Sequence, residues 1–194
     1  MLAAAIRDHE LFCQTKRGMK KEKEVKLKCS DIEIAIANYF NPRVHLIVPN
    51  IRDGMNVHEC DILVMNGNNY GVEVEIKISK ADIKKDLQKS HGHHSNKIRR
   101  LFFAIPEFLY TDEIIAMIPE RAGIFVITPG EAIPYVENYG KDKGIYYAKP
   151  KCRVVRNAKI NKAARPFTDK ERVEMGRLGM LRYWNIRNMN WSCK

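Results

Sequence analysis

No apolar run in this 194-residue chain approaches the roughly 18 residues that a membrane-crossing helix needs. The opening Met1-Leu2-Ala3-Ala4-Ala5-Ile6 is cut short by Arg7, Asp8, His9 and Glu10, and it lacks both the basic start and the length of a secretion signal. Cysteine is sparse: Cys13, Cys29, Cys60, Cys152 and Cys193 are odd in number and never spaced C-x-x-C. Such usage fits reduced thiols in a cytoplasmic protein better than a disulfide framework or a zinc knuckle. Internal repeats and low-complexity tracts are missing too, so neither a solenoid nor a compositionally biased linker is expected.

Acidic charge is thin at the two ends. Residues 1–28 hold 8 Lys/Arg against 4 Asp/Glu, residues 29–150 hold 14 against 16, and residues 151–194 hold 12 against 3. The formal net charge of +11 therefore comes from the termini, around a nearly neutral body. A polyanionic partner is the natural reading, because basic side chains displace counterions condensed on a nucleic acid backbone. DNA is the expected partner with RNA left open, no membrane is implied, and a homodimer is as compatible with the sequence as a monomer. At 45% hydrophobic content the chain can bury a core of its own.

The order of local signals points to one α/β domain. Ser30-Asp31-Ile32-Glu33 has a capping-box pattern and opens a helix to about Phe40, which Pro42 stops. Strand signals follow at 44–51, 59–66 and 70–79, then an amphipathic helix over 80–90. Leu101–Ile105 and Gly123–Ile127 are apolar without alternation, as strands buried on both faces are. A short helix at 111–118 lies between them. Irregular strand-like pieces occupy 132–160, and Thr168-Asp169-Lys170-Glu171 repeats the capping box before a last helix to about Arg187. Three meandering strands followed by a helical crossover to a parallel strand predict a mixed sheet with helices on both faces.

Within that order His58–Ser79 carries the chemistry. Asp61 falls in the first strand of a hairpin and Glu75-Ile76-Lys77 in the second, joined by a turn at Asn66-Gly67-Asn68-Asn69 suited to positive φ. From residue 70 to 79 Val72, Val74, Ile76 and Ile78 alternate with Glu73, Glu75, Lys77 and Ser79. Pairing places Asp61 alongside Glu75, with Lys77 one pleat on. Two carboxylates and a lysine so gathered can hold a hard divalent cation and orient a water, the chemistry of phosphodiester cleavage.

The α-β-β-β-α-β order, with Asp61 on its second strand and Glu75-x-Lys77 on its third, resembles the PD-(D/E)xK nuclease superfamily of restriction-endonuclease-like fold, over about residues 30–128. The runs E-V-E-I-K-I-S-K-A-D, F-F-A-I-P, R-P-F-T-D-K-E-R and L-R-Y-W-N are similar to uncharacterised phage and bacterial members. The resemblance implies a Mg²⁺-dependent deoxyribonuclease, with Mn²⁺ as an alternative ion. Asp61 and Glu75 would be the metal carboxylates, the carbonyl of Ile76 a further ligand, and Lys77 would orient the attacking water or stabilise the transition state. Glu33 would be the acidic residue that many members direct from the first helix to the same metal. Cys60 stands where the motif's name has proline. The chain divides on this reading into a basic arm (1–28), a nuclease-like core (29–130) and a basic extension ending in a helix (131–194).

Blander readings compete at each point. Asp61, Glu75 and Lys77 could be a solvated cross-strand ion-pair cluster. Glu73, on the face of Glu75, is read as a plain ion pair ahead of a partner for Lys77, and Glu59 shares that ambiguity. Glu33 could cap the backbone of Ser30. Lys80, Lys84, Lys85, Lys89, Lys97, Arg99 and Arg100 follow the motif and are read as phosphate contacts against a solvated face. His91, His93 and His94 read as a loop, because no carboxylate or cysteine at helical spacing completes a metal site. Trp184 and Trp191 read as packing groups. A non-cleaving nucleic-acid-binding module on the same fold is the main alternative, and a basic tail docking on an acidic protein is the remoter one.

Overall fold

The computed structural model describes residues 26–52, 57–88, 92–137 and 142–192. Lys89, His91 and most of the expected basic arm lie outside them. Six strands form one mixed sheet, with spatial order β1 (Leu46–Ile51), β2 (Cys60–Met65), β3 (Gly71–Ile76), β4 (Ile98–Pro106), β5 (Gly123–Thr128) and β8 (Lys151–Arg156). Neighbours β1–β2, β2–β3 and β5–β8 pair antiparallel, whereas β3–β4 and β4–β5 pair parallel. The two parallel steps need crossovers, and α2 (Lys80–Asp86) and α3 (Asp112–Met117) supply them. Strands β6 (Ala132–Glu137) and β7 (Asp142–Tyr147) make a separate two-stranded ribbon. The stretch expected to hold strand-like pieces thus contains β6, β7 and β8, and the segment expected to be an extension returns the sixth strand to the main sheet.

Helices cover both faces. Helix α1 (Cys29–Phe40) lays Ile32, Ala35 and Ile36 against Ile62, Val64, Val74, Phe102 and Phe125. On the opposite face Ile83 of α2 and Ile114 of α3 bury Leu101, Phe103, Ile105 and Val126. Helix α4 (Asp169–Ser192) sends Met175 into a third cluster with Val48, Leu63 and Ile98. Phe103 and Phe125 are fully buried in the sheet's centre, where truncation to Ala costs about 3–5 kcal/mol. The short apolar runs read as doubly covered strands are just that. Among the described residues no helix is long and apolar enough to cross a membrane.

Two caps differ from each other in an instructive way. At α4 the expected box forms: Thr168 N–H donates to Glu171 Oε2 at 2.8 Å and Glu171 N–H to Thr168 Oγ1 at 3.3 Å. At α1 the N-cap lies two residues earlier than expected, at Lys28 instead of Ser30. Asp31, not Glu33, reaches back to cap the chain, accepting from the N–H of Lys28 at 2.8 Å. Glu33 is released from the capping role. The turn between β2 and β3 has its positive-φ residue where expected, within Asn66–Asn69, and it is Asn69 (φ 60°). Asn66 Oδ1 holds that turn by accepting from the N–H groups of Asn68 and Tyr70, both at 3.0 Å.

Candidate functional site

The ladder between β2 and β3 runs from Met65↔Gly71 to Ile62↔Val74 and stops there, one pair short of bringing Asp61 opposite Glu75. Cys60 packs in the same cluster as Leu63 and Met65, so the two-residue period slips near Asp61. Where the strands part, the Asp61 side chain takes over the ladder's work: its Oδ2 accepts from the N–H of Ile76 at 2.7 Å. This pins a half-exposed carboxylate to the residue between Glu75 and Lys77.

Strand β3 presents Val72, Val74 and Ile76 to the α1 side. Its other face carries Glu73, Glu75 and Lys77, which are 0%, 1% and 6% exposed. The solvated-cluster reading is therefore wrong about solvent. Lys77 Nζ lies 2.7 Å from Glu75 Oε2, 2.8 Å from Asp86 Oδ1 at the end of α2, and 4.0 Å from Asp61 Oδ2. Burial alone would pull the lysine's pKa down. The Glu75 charge and the bonds to Asp86 and Glu75 outweigh it and hold the pKa above the usual lysine value. Lys77 is thus an ammonium at neutral pH, able to donate and to stabilise negative charge but not to take a proton from water.

The network continues inward through residues to which the sequence pattern gives no catalytic or metal role. Asp86 Oδ2 meets His93 Nε2 at 2.7 Å, and His93 Nδ1 meets Glu73 Oε1 at 2.6 Å. The same Glu73 oxygen is 2.8 Å from His58 Nε2. Burial lowers the His93 pKa, but bonds to Asp86 and Glu73 and their charges raise it to about 9. Burial likewise pushes Glu73 up, yet bonds from both histidines leave its carboxyl below the ordinary value. Glu73 is therefore an ion-pair carboxylate, as favoured over a partner of Lys77, and its partners are the two imidazoles that meet on it. His93 itself has φ 57° beside Gly92 at φ 49°, and Arg121 Nη2 donates to both their carbonyls, at 3.2 and 2.6 Å respectively.

Outside Lys77 lies an acidic rim. Glu33, freed from capping, accepts a long 3.5 Å bond from Asn50 Nδ2. Its carboxyl is raised by burial and by the charge of Asp61, with the Asn50 bond opposing. The exposed Cys29 thiol is raised by burial and by the Asp61, Glu33 and Asp82 carboxylates. Cys29 and Glu33 of α1 thus both sense the charge of Asp61.

The basic residues do not form one patch. Lys80, Lys84 and Lys85 sit on α2, following the Lys77 end of β3, and Lys80 pairs with Glu113. Arg99 and Arg100 start β4, beside the opposite end of β3, since Gly71 aligns with Ile98 and Ile76 with Ala104. Arg99 stacks over the Tyr70 ring, 3.9 Å from its centroid, and lines with Arg100 a cleft closed by Asn66 and Asn68. Lys97 is 3% exposed and bonded to Glu171 at 2.7 Å, which removes it from the surface that a phosphate could reach. Trp184 is 54% exposed, contrary to the packing role expected for it.

Of the residues read from sequence, Asp61, Glu75, Lys77 and Glu33 are brought to one end of β3, while His58, Asp86 and His93 are members that the sequence reading misses. Helical spacing is the wrong test for the histidines, because their carboxylates come from the sheet and from the end of α2.

No protein-family model and no curated protein matches this chain. A solved structure of a protein of unknown function from Silicibacter pomeroyi is similar in fold, with a TM-score of 0.53 at 13% identity, covering 83% of this chain and 90% of that one.

Proposed function

We propose that the protein is a metal-dependent endonuclease of the restriction-endonuclease-like type, hydrolysing phosphodiester bonds in DNA at Asp61, Glu75 and Lys77. The observation that carries this reading is the position of the Lys77 ammonium, 2.7 Å from Glu75 and 4.0 Å from Asp61 at the point where β2 leaves β3. The donor set fits a hard cation: two carboxylates, one of them 39% exposed, leave room for the waters that Mg²⁺ retains. Asp61, Glu75 and the carbonyl of Ile76 would hold it, and when bound it supplies Lewis acidity and an activated water.

The chain's own groups account for the rest. Asp61 is fixed by the Ile76 N–H and so presents its carboxylate without a search through rotamers. Glu75 and Asp86 hold Lys77 as a charged point donor toward the non-bridging oxygens, where negative charge grows as the bond breaks. Glu33 adds a carboxylate on the α1 side, sensing the charge of Asp61. Lys84 and Lys85, exposed on the helix that follows the motif, would meet the backbone phosphates of a bound duplex.

One observation favours the second reading, a non-cleaving DNA-binding module. Lys77 is 6% exposed, so a phosphate reaches it only by displacing neighbouring side chains. Plasmid, linear duplex, branched DNA and single strands incubated with Mg²⁺ or Mn²⁺ decide between the two. Nicking by wild type that disappears with chelator and with Asp61→Ala supports cleavage. Retained binding with no product on any substrate makes the module the function.

A further inference from the structure

We propose that His58, Glu73 and His93 form a second metal site, for a divalent transition ion of the zinc class held by two imidazole nitrogens and one carboxylate. The three ligand atoms lie within 4.8 Å of one another. Two nitrogens and one oxygen are the donors of a borderline ion such as Zn²⁺, not of Mg²⁺, so this site differs in chemistry as well as place from the Asp61–Glu75 pair.

Three observations converge on it. Glu73 is 0% exposed, and while its Oε1 serves both imidazoles, its Oε2 is buried with no hydrogen-bond partner among the described residues. A carboxylate so placed has coordination to spare, and a buried polar atom left over in this way asks for a ligand. Next, the far nitrogen of His93 is held by Asp86 at 2.7 Å, which orients the ring with Nδ1 toward Glu73. Metal-bound histidines are commonly backed by a carboxylate in this manner. Last, Glu73, Glu75 and Asp86 bring three carboxylates into the interior, faced without an ion by the ammonium of Lys77 and the imidazolium of His93. Ligation requires both imidazoles neutral, and a divalent ion beside Lys77 then balances the three carboxylates.

A competing trio, Glu75, Asp86 and His93, also has atoms close enough to hold an ion. That trio offers one imidazole and two carboxylates, whereas the Glu73 trio offers two imidazoles. A borderline ion favours the nitrogen-richer set, and the choice falls on the His58 side. An ion at this place would tie the segment before β2 and the loop after α2 to β3, and through Asp86 would fix the carboxylate that Lys77 leans on.

The test uses the full chain after chelator treatment. Titration with Co²⁺ is expected to give ligand-field absorption at one equivalent, displaced by Zn²⁺ and unaffected by Mg²⁺. His58→Ala and His93→Gln should each remove the absorption. Asp86→Asn keeps all three ligands and should weaken affinity by about 10–100-fold. Asp61→Ala should bind as wild type does, which keeps this result independent of whether DNA is cut. Should the histidine variants fail to fold by circular dichroism, zinc-soaked wild-type crystals give the answer, with anomalous density expected between His58, Glu73 and His93. Absence of uptake by wild type, undiminished uptake by both histidine variants, or density at another position overturns the proposal.

Discussion

At the scale of the residue, the protein is dominated by charges that the fold has taken out of water. Removing one partner of a buried ion pair strands the other, which typically costs about 3–5 kcal/mol. Asp86→Ala is therefore expected to destabilise the protein by several kcal/mol, because Lys77 and His93 both lose a 2.7–2.8 Å partner. Urea unfolding measures this, and Asp82→Ala, at a half-buried position with no side-chain ion pair among the described residues, is the control expected to change stability by less than about 1 kcal/mol. Glu171 gives the pH dependence. The bonds from Arg165, with those from Lys97 and Thr168, hold its carboxyl well below the ordinary carboxylate range against the opposing effect of burial. A lowered folded-state pKa contributes stability above the unfolded value of about 4.5, and that contribution is lost as pH falls below it. Glu171→Gln should therefore lower the thermal midpoint at pH 7, by the roughly 1 kcal/mol of a lost cap and pair, and narrow its gap to wild type toward about pH 3.

At the scale of the element, glycine and turn chemistry separate what is legible in the sequence from what is not. The element order, the two doubly covered strands and the Thr168–Glu171 box can be read because each depends on neighbours in sequence. What escapes depends on where elements meet. The pattern at α1 offers Glu33 as the cap although Asp31 also lies within reach, and only the true helix start decides between them. Counting pleats sets Asp61 opposite Glu75, and the slip near Cys60 is invisible to counting. Burial of Glu73, Glu75 and Lys77 follows from α2 and the loop after it closing over that face, which alternation cannot show. Backbone geometry makes a sharp contrast between two glycines: a Cβ at Gly67 meets nothing within 4 Å, whereas one at Gly123 would lie 2.3 Å from Phe102 Cε1 and 2.7 Å from the Ala158 nitrogen. Gly67→Ala should leave stability unchanged within error, and Gly123→Ala should cost about 1–3 kcal/mol by overpacking. Thermal denaturation of the two variants side by side checks this.

At the scale of the whole molecule, charge is distributed so that the acidic site sits in a neutral body between basic termini. The basic residues near β3 lie at its two ends, so a duplex would have to be long enough to span both. If Lys84 and Lys85 meet phosphates, replacing both with Gln should weaken DNA binding whatever its sequence. The slope of log affinity against log salt should flatten by about one unit for each phosphate no longer neutralised. Replacing Arg99 and Arg100 asks the same question of the far end. A slope unmoved by one pair assigns that pair to solvent.

The most direct test of the central claim separates binding from cutting at Lys77. One ammonium among many bases adds little to phosphate affinity, but a donor placed at the charge that grows in the transition state is worth roughly 10²–10³ in rate. Plasmid nicking in Mg²⁺ should fall by that factor in Lys77→Ala, with DNA affinity unchanged. Lys77→Arg should not restore it, since a planar fork replaces a compact charge enclosed by Glu75 and Asp86. Undiminished nicking by Lys77→Ala would contradict the account.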